Sequence, residues 1–278
     1  MGQSNMRVYI PKTVGELTQL LRRYEGATVY SGGTALLETS RRQKLGMPDT
    51  IIALYDVEDL RRIARTDQYL DIGANATIRA ISRVGHNVVP GILTETLPHI
   101  VPPGLRNLAT LTGNVCVPGK TMTSIPTLMA LSASVELRRA GGGRWVPLSR
   151  FHGGEQGPDI RPGEVVTRLR VPLERYDAQM FRKTEDTRLI FAAVARGSKS
   201  SIDEVRLVIG STGHSVMRNR ELEAELAGRK LPLGRREIES ASARMYSSAR
   251  SAELSYTSFD LYRISGFVSA FLRRLGRG

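Results

Sequence analysis

Two adjacent glycines, Gly32 and Gly33, constrain this chain more than any other feature. They lie in Tyr30-Ser31-Gly32-Gly33-Thr34-Ala35-Leu36-Leu37, after the strand-like run Ala27-Thr28-Val29-Tyr30. Leu36, Leu37, Glu38 and the Arg41-Arg42 pair that follow are helix formers, so the order reads strand, tight turn, helix. Glycine permits the sharp turn and removes side chains that would hold a ligand off the main chain. A helix N-terminus has unpaired N–H groups and partial positive charge, so such a turn is able to hold a phosphate. The pattern is neither the three-glycine dinucleotide fingerprint nor a P-loop, since no lysine follows the glycines. Alone, it is weak evidence for a ligand seat, and a plain tight turn is the favoured reading.

The surrounding pattern predicts a small α/β unit over roughly the first sixty residues. Thr13 and Glu16 have capping-box spacing ahead of a helix with Leu17, Leu20 and Leu21, and Thr50-Ile51-Ile52-Ala53-Leu54 reads as a buried strand. A strand over 70–74, a helix start over 75–79 and a Pro-punctuated apolar stretch over 88–100 follow. Pro102-Pro103-Gly104 breaks the chain, and 106–116 forms a polar, glycine-bearing turn region. Ile125 to Leu131 fits a helix; Ser134 to Arg138 and Glu164 to Val171 fit strands, with Gly141-Gly142-Gly143 as a hairpin-like loop. Beyond a boundary near Pro172 to Asp177, strands are expected at 180–183, 190–195 and 205–210. Helices are expected at 222–226, 237–246 and 267–275.

Charge and cysteine usage exclude several function classes. The 278 residues carry 40 Lys and Arg against 27 Asp and Glu, a formal net charge of +13. The excess sits in scattered arginine pairs such as Arg22-Arg23, Arg61-Arg62 and Arg273-Arg274, the pattern of solvated helix faces. Without zinc spacing, an aromatic RNA-binding signature or a basic tail, nucleic acid is not the expected partner. No apolar run approaches the ~18 residues that cross a bilayer. The polar N-terminus has no secretory h-region, and Met6 spoils a myristoylation motif at Gly2, so a cytoplasmic location is expected. The single cysteine, Cys116, excludes an internal disulfide framework and a cysteine-ligated iron–sulfur cluster. It reads as a small buried thiol. His86, His99, His152 and His214 lack metal-ligand spacing, and Asp56, Glu58 and Asp59 read as a helix start rather than paired catalytic acids. No catalytic residue and no metal site is assigned.

A second loop, Thr110-Leu111-Thr112-Gly113-Asn114, lies about eighty residues after the first. Its hydroxyls, amide and freed backbone suit another part of a long polar ligand, in a cleft between two subdomains. Together, Ser31-Gly32-Gly33-Thr34, Ile72-Gly73-Ala74 with Thr77, the run from Arg106 to Asn114, and Arg161-Pro162-Gly163-Glu164-Val165 carry a resemblance. It continues through Phe181-Arg182-Lys183, Val205 to Gly210 and Leu261-Tyr262-Arg263, nearly the whole chain. In order and spacing these resemble the FAD-binding medium subunits of molybdenum hydroxylases of the xanthine dehydrogenase and carbon monoxide dehydrogenase type.

The resemblance implies an α+β chain. A two-lobed FAD-binding domain of the vanillyl-alcohol-oxidase-like type would span 1–174, with lobes about 1–57 and 58–174. A C-terminal domain with a three-stranded antiparallel sheet and helices would span 175–278. It implies that Tyr30, Ser31, Gly32, Gly33, Thr34, Ala35 and Leu36 hold the FAD pyrophosphate, mainly through backbone amides. Thr110, Gly113 and Asn114 would meet the ribityl and phosphate end, Lys183 and the Leu169 strand would lie near the isoalloxazine, and Thr123 stands where the family has a cofactor-binding Asp. The implied partners are a molybdenum-binding large subunit and a small subunit with two [2Fe–2S] clusters, with NAD or another acceptor taking electrons from FAD. The basic surface would dock an acidic iron–sulfur subunit.

Three departures bear on cofactor affinity. Thr112 replaces the first glycine of a Gly-Gly-Asn loop and would be strained at positive φ; Thr123 replaces Asp; Ala35 replaces a polar Asp or Asn. Each removes a hydrogen bond worth about 0.5–1.5 kcal/mol, against ~1.4 kcal/mol per decade of affinity. They define the alternative: a non-catalytic scaffold or assembly subunit on the same fold with weakened or lost FAD binding.

Overall fold

The computed structural model describes residues 6–43, 48–118, 122–152, 157–186, 189–211, 216–252 and 256–276. Residues 1–5, with the N-terminal motif, and His214 lie outside them. In chain order, β1 (Arg7–Tyr9), α1 (Val14–Arg23), β2 (Thr28–Tyr30), α2 (Thr34–Gln43), β3 (Thr50–Ala53), β4 (Ile63–Arg65) and β5 (Tyr69–Gly73) come first. Next are α3 (Ile78–Val84), α4 (Gly91–Thr96), α5 (Leu111–Val115), α6 (Ser124–Ala130), β6 (Ser134–Arg139), β7 (Gly142–Pro147) and α7 (Leu148–Phe151). The chain continues with β8 (Val165–Pro172), β9 (Ala178–Lys183), β10 (Leu189–Gly197), β11 (Ile202–Ser211) and β12 (Val216–Arg218). Helices α8 (Arg220–Leu226), α9 (Arg235–Ser251) and α10 (Ser258–Leu272) close it. Contacts divide the chain into two compact units. One holds Met1–Pro90, Ile100–Pro118 and Ser132–Leu173; the other holds Gly91–His99, Gly119–Leu131 and Glu174–Gly278.

The first unit begins with a three-stranded parallel sheet in the order β1-β3-β2. Helix α1 starts where the sequence places it. Thr13 Oγ1 accepts from Glu16 N at 3.1 Å, and Glu16 Oε2 accepts from Lys12 N at 2.8 Å. Leu17 and Leu21 pack with Ile52, Leu54, Val57 and Leu60 in a compact core. An antiparallel five-stranded sheet, β4-β5-β8-β6-β7, forms the rest of the unit's frame. On it, Arg170 pairs with both carboxylate oxygens of Asp71, at 2.7 and 2.8 Å. The same guanidinium lies over the Tyr69 ring at 4.8 Å and the Trp145 ring at 4.2 Å. The Arg161-Pro162-Gly163-Glu164 turn is held by Arg144, whose guanidinium meets both oxygens of buried Glu164 at 2.8 Å. That pairing holds the Glu164 carboxyl below its ordinary range.

The second unit is built on an antiparallel sheet in the order β12-β11-β10-β9. Seven of the nine β10 residues are buried, and Phe191, Leu207, Ile209, Met245, Ile264 and Phe271 form the heart of its core. Buried Arg206 joins the chain after β8 to this sheet. It bonds Glu174 (3.0 Å), Glu204 (2.6 Å), the Tyr176 hydroxyl (3.0 Å) and the Ala130 carbonyl (2.9 Å). Such a guanidinium is stable only because every face is satisfied.

Several expectations change. The C-terminal sheet has four strands rather than three, because the short β12 pairs with β11. The last helix begins at Ser258, nine residues before the expected start at Phe267, with Thr257 and Asp260 in a reciprocal cap. Its first turns expose Phe259 and Tyr262, so they lack the apolar stripe that marked the later part. The 106–116 region is not all turn: Thr110 caps α5. Among the described residues no helix is long and apolar enough to cross a membrane.

Candidate functional site

The turn between β2 and α2 is Ser31-Gly32-Gly33, and its two glycines are required for different reasons. Gly33 has φ +67°, a region that side chains tolerate poorly, and a Cβ there would collide with the Tyr30 ring folded against it. Gly32 is needed for close approach: its Cβ would collide with the Leu108 carbonyl. The second loop therefore rests its backbone directly on the first. Leu37 N–H donates to the Gly33 carbonyl at 2.9 Å, the first helical bond of α2. The preceding N–H groups, on Thr34, Ala35 and Leu36, have no acceptor among the described residues. Three donors at a helix N-terminus thus stand next to a two-glycine turn.

Side chains reinforce the meeting of the loops. Ser31 Oγ donates to Asn75 Oδ1 at 2.7 Å and lies 3.3 Å from Thr110 Oγ1. Asn75 Nδ2 donates to the Leu54 carbonyl at 3.3 Å, tying the segment after β5 to the end of β3. Thr77 and Thr110 form an isolated antiparallel bridge, and Ile78 N donates to the Ala109 carbonyl at 2.9 Å. Thr110 Oγ1 accepts from Gly113 N at 3.0 Å, and a Cβ on Gly113 would stand 2.6 Å from that oxygen. Gly113 is a glycine because the cap occupies its space.

The structure corrects the strain expected at Thr112. The residue lies inside α5, and Ser132 is the one non-glycine residue at positive φ among those described. Thr112 is buried, and its Oγ1 has no hydrogen-bond partner among the described residues. Asn114 is buried close by in the same helix, while the Leu169 side chain is fully buried in β8, paired with Ile72 and Val135 in the neighbouring strands.

In the second unit, Lys183 and Thr123 come together. Lys183 Nζ donates to the His99 carbonyl at 2.9 Å and to Thr123 Oγ1 at 3.2 Å. No carboxylate pairs with it among the described residues, and burial lowers its pKa. The His99 ring lies against Phe181, centroids 5.4 Å apart. The other candidates show no activated chemistry. Burial pushes the Cys116 thiol up to about 12, although the residue keeps some exposure; a nucleophilic thiol shows the opposite shift. His152 Nε2 contacts the Val115 carbonyl at 2.8 Å, and burial lowers its pKa. Among the described residues no three His, Cys, Asp or Glu side chains are grouped to hold a metal. Asn75 escaped the sequence reading, although it directly follows the Ile72-Gly73-Ala74 motif.

Residues 4–174 match the family model described as the FAD binding domain in molybdopterin dehydrogenase. The chain belongs to this family and so carries a flavin-binding domain of the molybdenum hydroxylase type. Among its relatives, the carbon monoxide dehydrogenase medium chain of Afipia carboxidovorans is 28% identical over 232 residues, covering 80% of this chain and 77% of the relative. The nicotine 6-hydroxylase medium subunit of Paenarthrobacter nicotinovorans is 25% identical over 281 residues, covering 97% and 95%. The xanthine dehydrogenase of Emericella nidulans is 24% identical over 250 residues, and the match spans 82% of this chain but 18% of that much longer relative. The fold is shared with the Cu,Mo-CO dehydrogenase crystal structure, at TM-score 0.82 and 23% identity over 98% of this chain and 96% of that one.

Proposed function

We propose that this chain is the FAD-binding medium subunit of a molybdenum-dependent hydroxylase or dehydrogenase, an oxidoreductase complex of the cytoplasm. The observation that carries the reading is the direct rest of the second loop on Gly32, beside three N–H groups that meet no acceptor among the described residues. These residues fit FAD. A two-glycine turn followed by helix N-terminal donors that meet no acceptor among the described residues suits a pyrophosphate, and no part of that fit depends on the side chain of Ala35.

In this reading Thr34, Ala35 and Leu36 donate their backbone N–H groups, Gly32 and Gly33 let the turn close against the Leu108 carbonyl and the Tyr30 ring, and Tyr30 and Ser31 frame the turn. Thr110, Gly113 and Asn114 serve the ribityl and phosphate end. Thr123 orients Lys183, whose cation, held by neutral acceptors only, favours a ligand that gains negative charge. The Leu169 strand contributes through its position in the sheet rather than through its buried side chain. When bound, FAD supplies the redox chemistry by which electrons from a partner's iron–sulfur clusters reach NAD or another acceptor. The lone Cys116 supports that division, because cluster ligands must come from another chain, alongside a molybdenum-binding large subunit. The two-lobed, vanillyl-alcohol-oxidase-like description of the flavin domain belongs to this proposal, as do its boundary near residue 174 and its lobes, about 1–57 and 58–174.

A visible spectrum of the purified chain tests the reading. Flavin bands released on heating are expected. A colourless protein that also fails to take up added FAD overturns it in favour of a scaffold subunit.

A further inference from the structure

Beside the Gly-Gly turn, unit one exposes side chains that the flavin reading does not use. Leu105 and Leu108 are 41% and 55% exposed. The tight turn that carries them is closed by bonds from Leu108 N (3.0 Å) and Ala109 N (2.9 Å) to the Leu105 carbonyl. Leu37, which follows the turn on α2, is 51% exposed. Helix α3 abuts the same loop, with Arg79 N donating to the Arg106 carbonyl at 2.9 Å. Arg79 and Arg83 lie four residues apart on α3, both exposed, and neither pairs with a carboxylate among the described residues. Like charges at this spacing repel, so the helix carries an unfavourable pair that no carboxylate among the described residues compensates.

We infer that Leu105, Leu108, Arg79 and Arg83 form a docking surface for an acidic, apolar-centred face of a partner protein subunit. The inference rests on the proposed function for the existence of such a subunit. Charge selects the occupant. A second copy of this chain would bring the same arginines and a net charge of +13, so self-association at this face is repelled. Nucleic acid would gain from the arginines but not from two exposed leucines, and the patch has no aromatic platform for bases. An acidic protein face relieves the arginine repulsion and covers the leucines together. Apolar anchors ringed by charge make up the usual anatomy of a protein interface.

The test uses the full-length tagged chain co-expressed with its molybdenum-binding and iron–sulfur partner chains. Partner retention is measured at low and high ionic strength for wild type, R79E/R83E, L105S and an R273E/R274E control remote in sequence. Flavin content and thermal midpoint of each variant chain are measured alongside. The expected result is loss of partner retention by about tenfold or more in the first two variants, with wild-type flavin content and midpoint. R83E and L105N, with smaller losses, replace R79E/R83E or L105S where the midpoint of either falls. Undiminished retention in folded variants overturns the proposal, as does equal loss in the control or a wild-type chain that retains no partner. A concentration-dependent dimer abolished by the same variants assigns the surface to a second copy instead. Salt-sensitive duplex DNA binding abolished by them assigns it to nucleic acid. A colourless wild type whose partners are still lost in the variants keeps the docking surface and overturns the flavin reading alone.

Discussion

Helix α2 and strand β10 are built on opposite terms. None of the side chains from Thr34 to Glu38 is buried, and the helix opens with three N–H groups that meet no acceptor among the described residues. In β10, Leu189 to Ala195 are all buried, and the strand is paired along its length with β11 on one side and β9 on the other. The first turn of α2 leaves backbone donors without an acceptor among the described residues and buries none of its side chains; β10 pairs its backbone with a strand on each side and buries most of its side chains. Regions that must receive a ligand are drawn from the weakly packed end of a protein, and regions that hold it together from the dense end. A substitution in β10 should therefore be read first as stability, and one at the turn before α2 first as binding.

The largest expected effect is in the dense region. Phe191→Ala removes a fully buried ring from the four-stranded sheet and should cost about 3–5 kcal/mol, measured by urea unfolding. A loss below about 1 kcal/mol would erase the contrast. Gly32→Ala comes next. Its Cβ must displace the Leu108 carbonyl, so the loops separate, at an overpacking cost of about 1–3 kcal/mol. Flavin titration should show weaker binding, whereas Gly104→Ala, whose Cβ enters open space, should leave binding unchanged.

Glu164→Gln should cost about 2 kcal/mol at neutral pH, since a charge-assisted pair with Arg144 is lost. Because the native carboxyl titrates below its ordinary range, its contribution is complete above the unfolded value of about 4.3 and disappears as pH falls through the lower folded value. Wild type and variant should therefore converge in stability in acid. The smallest effect is at Thr112→Val. Removing an unpartnered hydroxyl while keeping its shape should be neutral or stabilising by up to about 1 kcal/mol in thermal melts. Destabilisation there would show that the hydroxyl has a partner after all.

The same contrast explains what could be read from the residues alone. The Thr13–Glu16 cap, the Gly-Gly turn and the apolar run that became β10 are local signals, and all three elements form where expected. Short or exposed pieces were less legible. β12 is three residues long and depends on β11 for its existence, and the start of α10 is exposed, so neither has a strong periodic pattern. At the site, sequence showed that two loops belonged together but not that Gly32 is fixed by the Leu108 carbonyl, nor that Asn75 bridges Ser31 and Leu54. Those are tertiary contacts between residues tens of positions apart. Thr112 misled for the same reason: its backbone is helical because Thr110 caps the turn before it.

The stacking of Arg170 between Tyr69 and Trp145 has a practical consequence, since Trp145 is the one tryptophan of the chain. Its indole is held 4.2 Å from a guanidinium on the five-stranded sheet, so intrinsic emission is an optical probe of that sheet alone. The four-stranded sheet and its helices contain only tyrosine and phenylalanine and are silent at tryptophan wavelengths. Emission and circular dichroism followed together can therefore separate the melting of the two units without a label or an engineered chromophore.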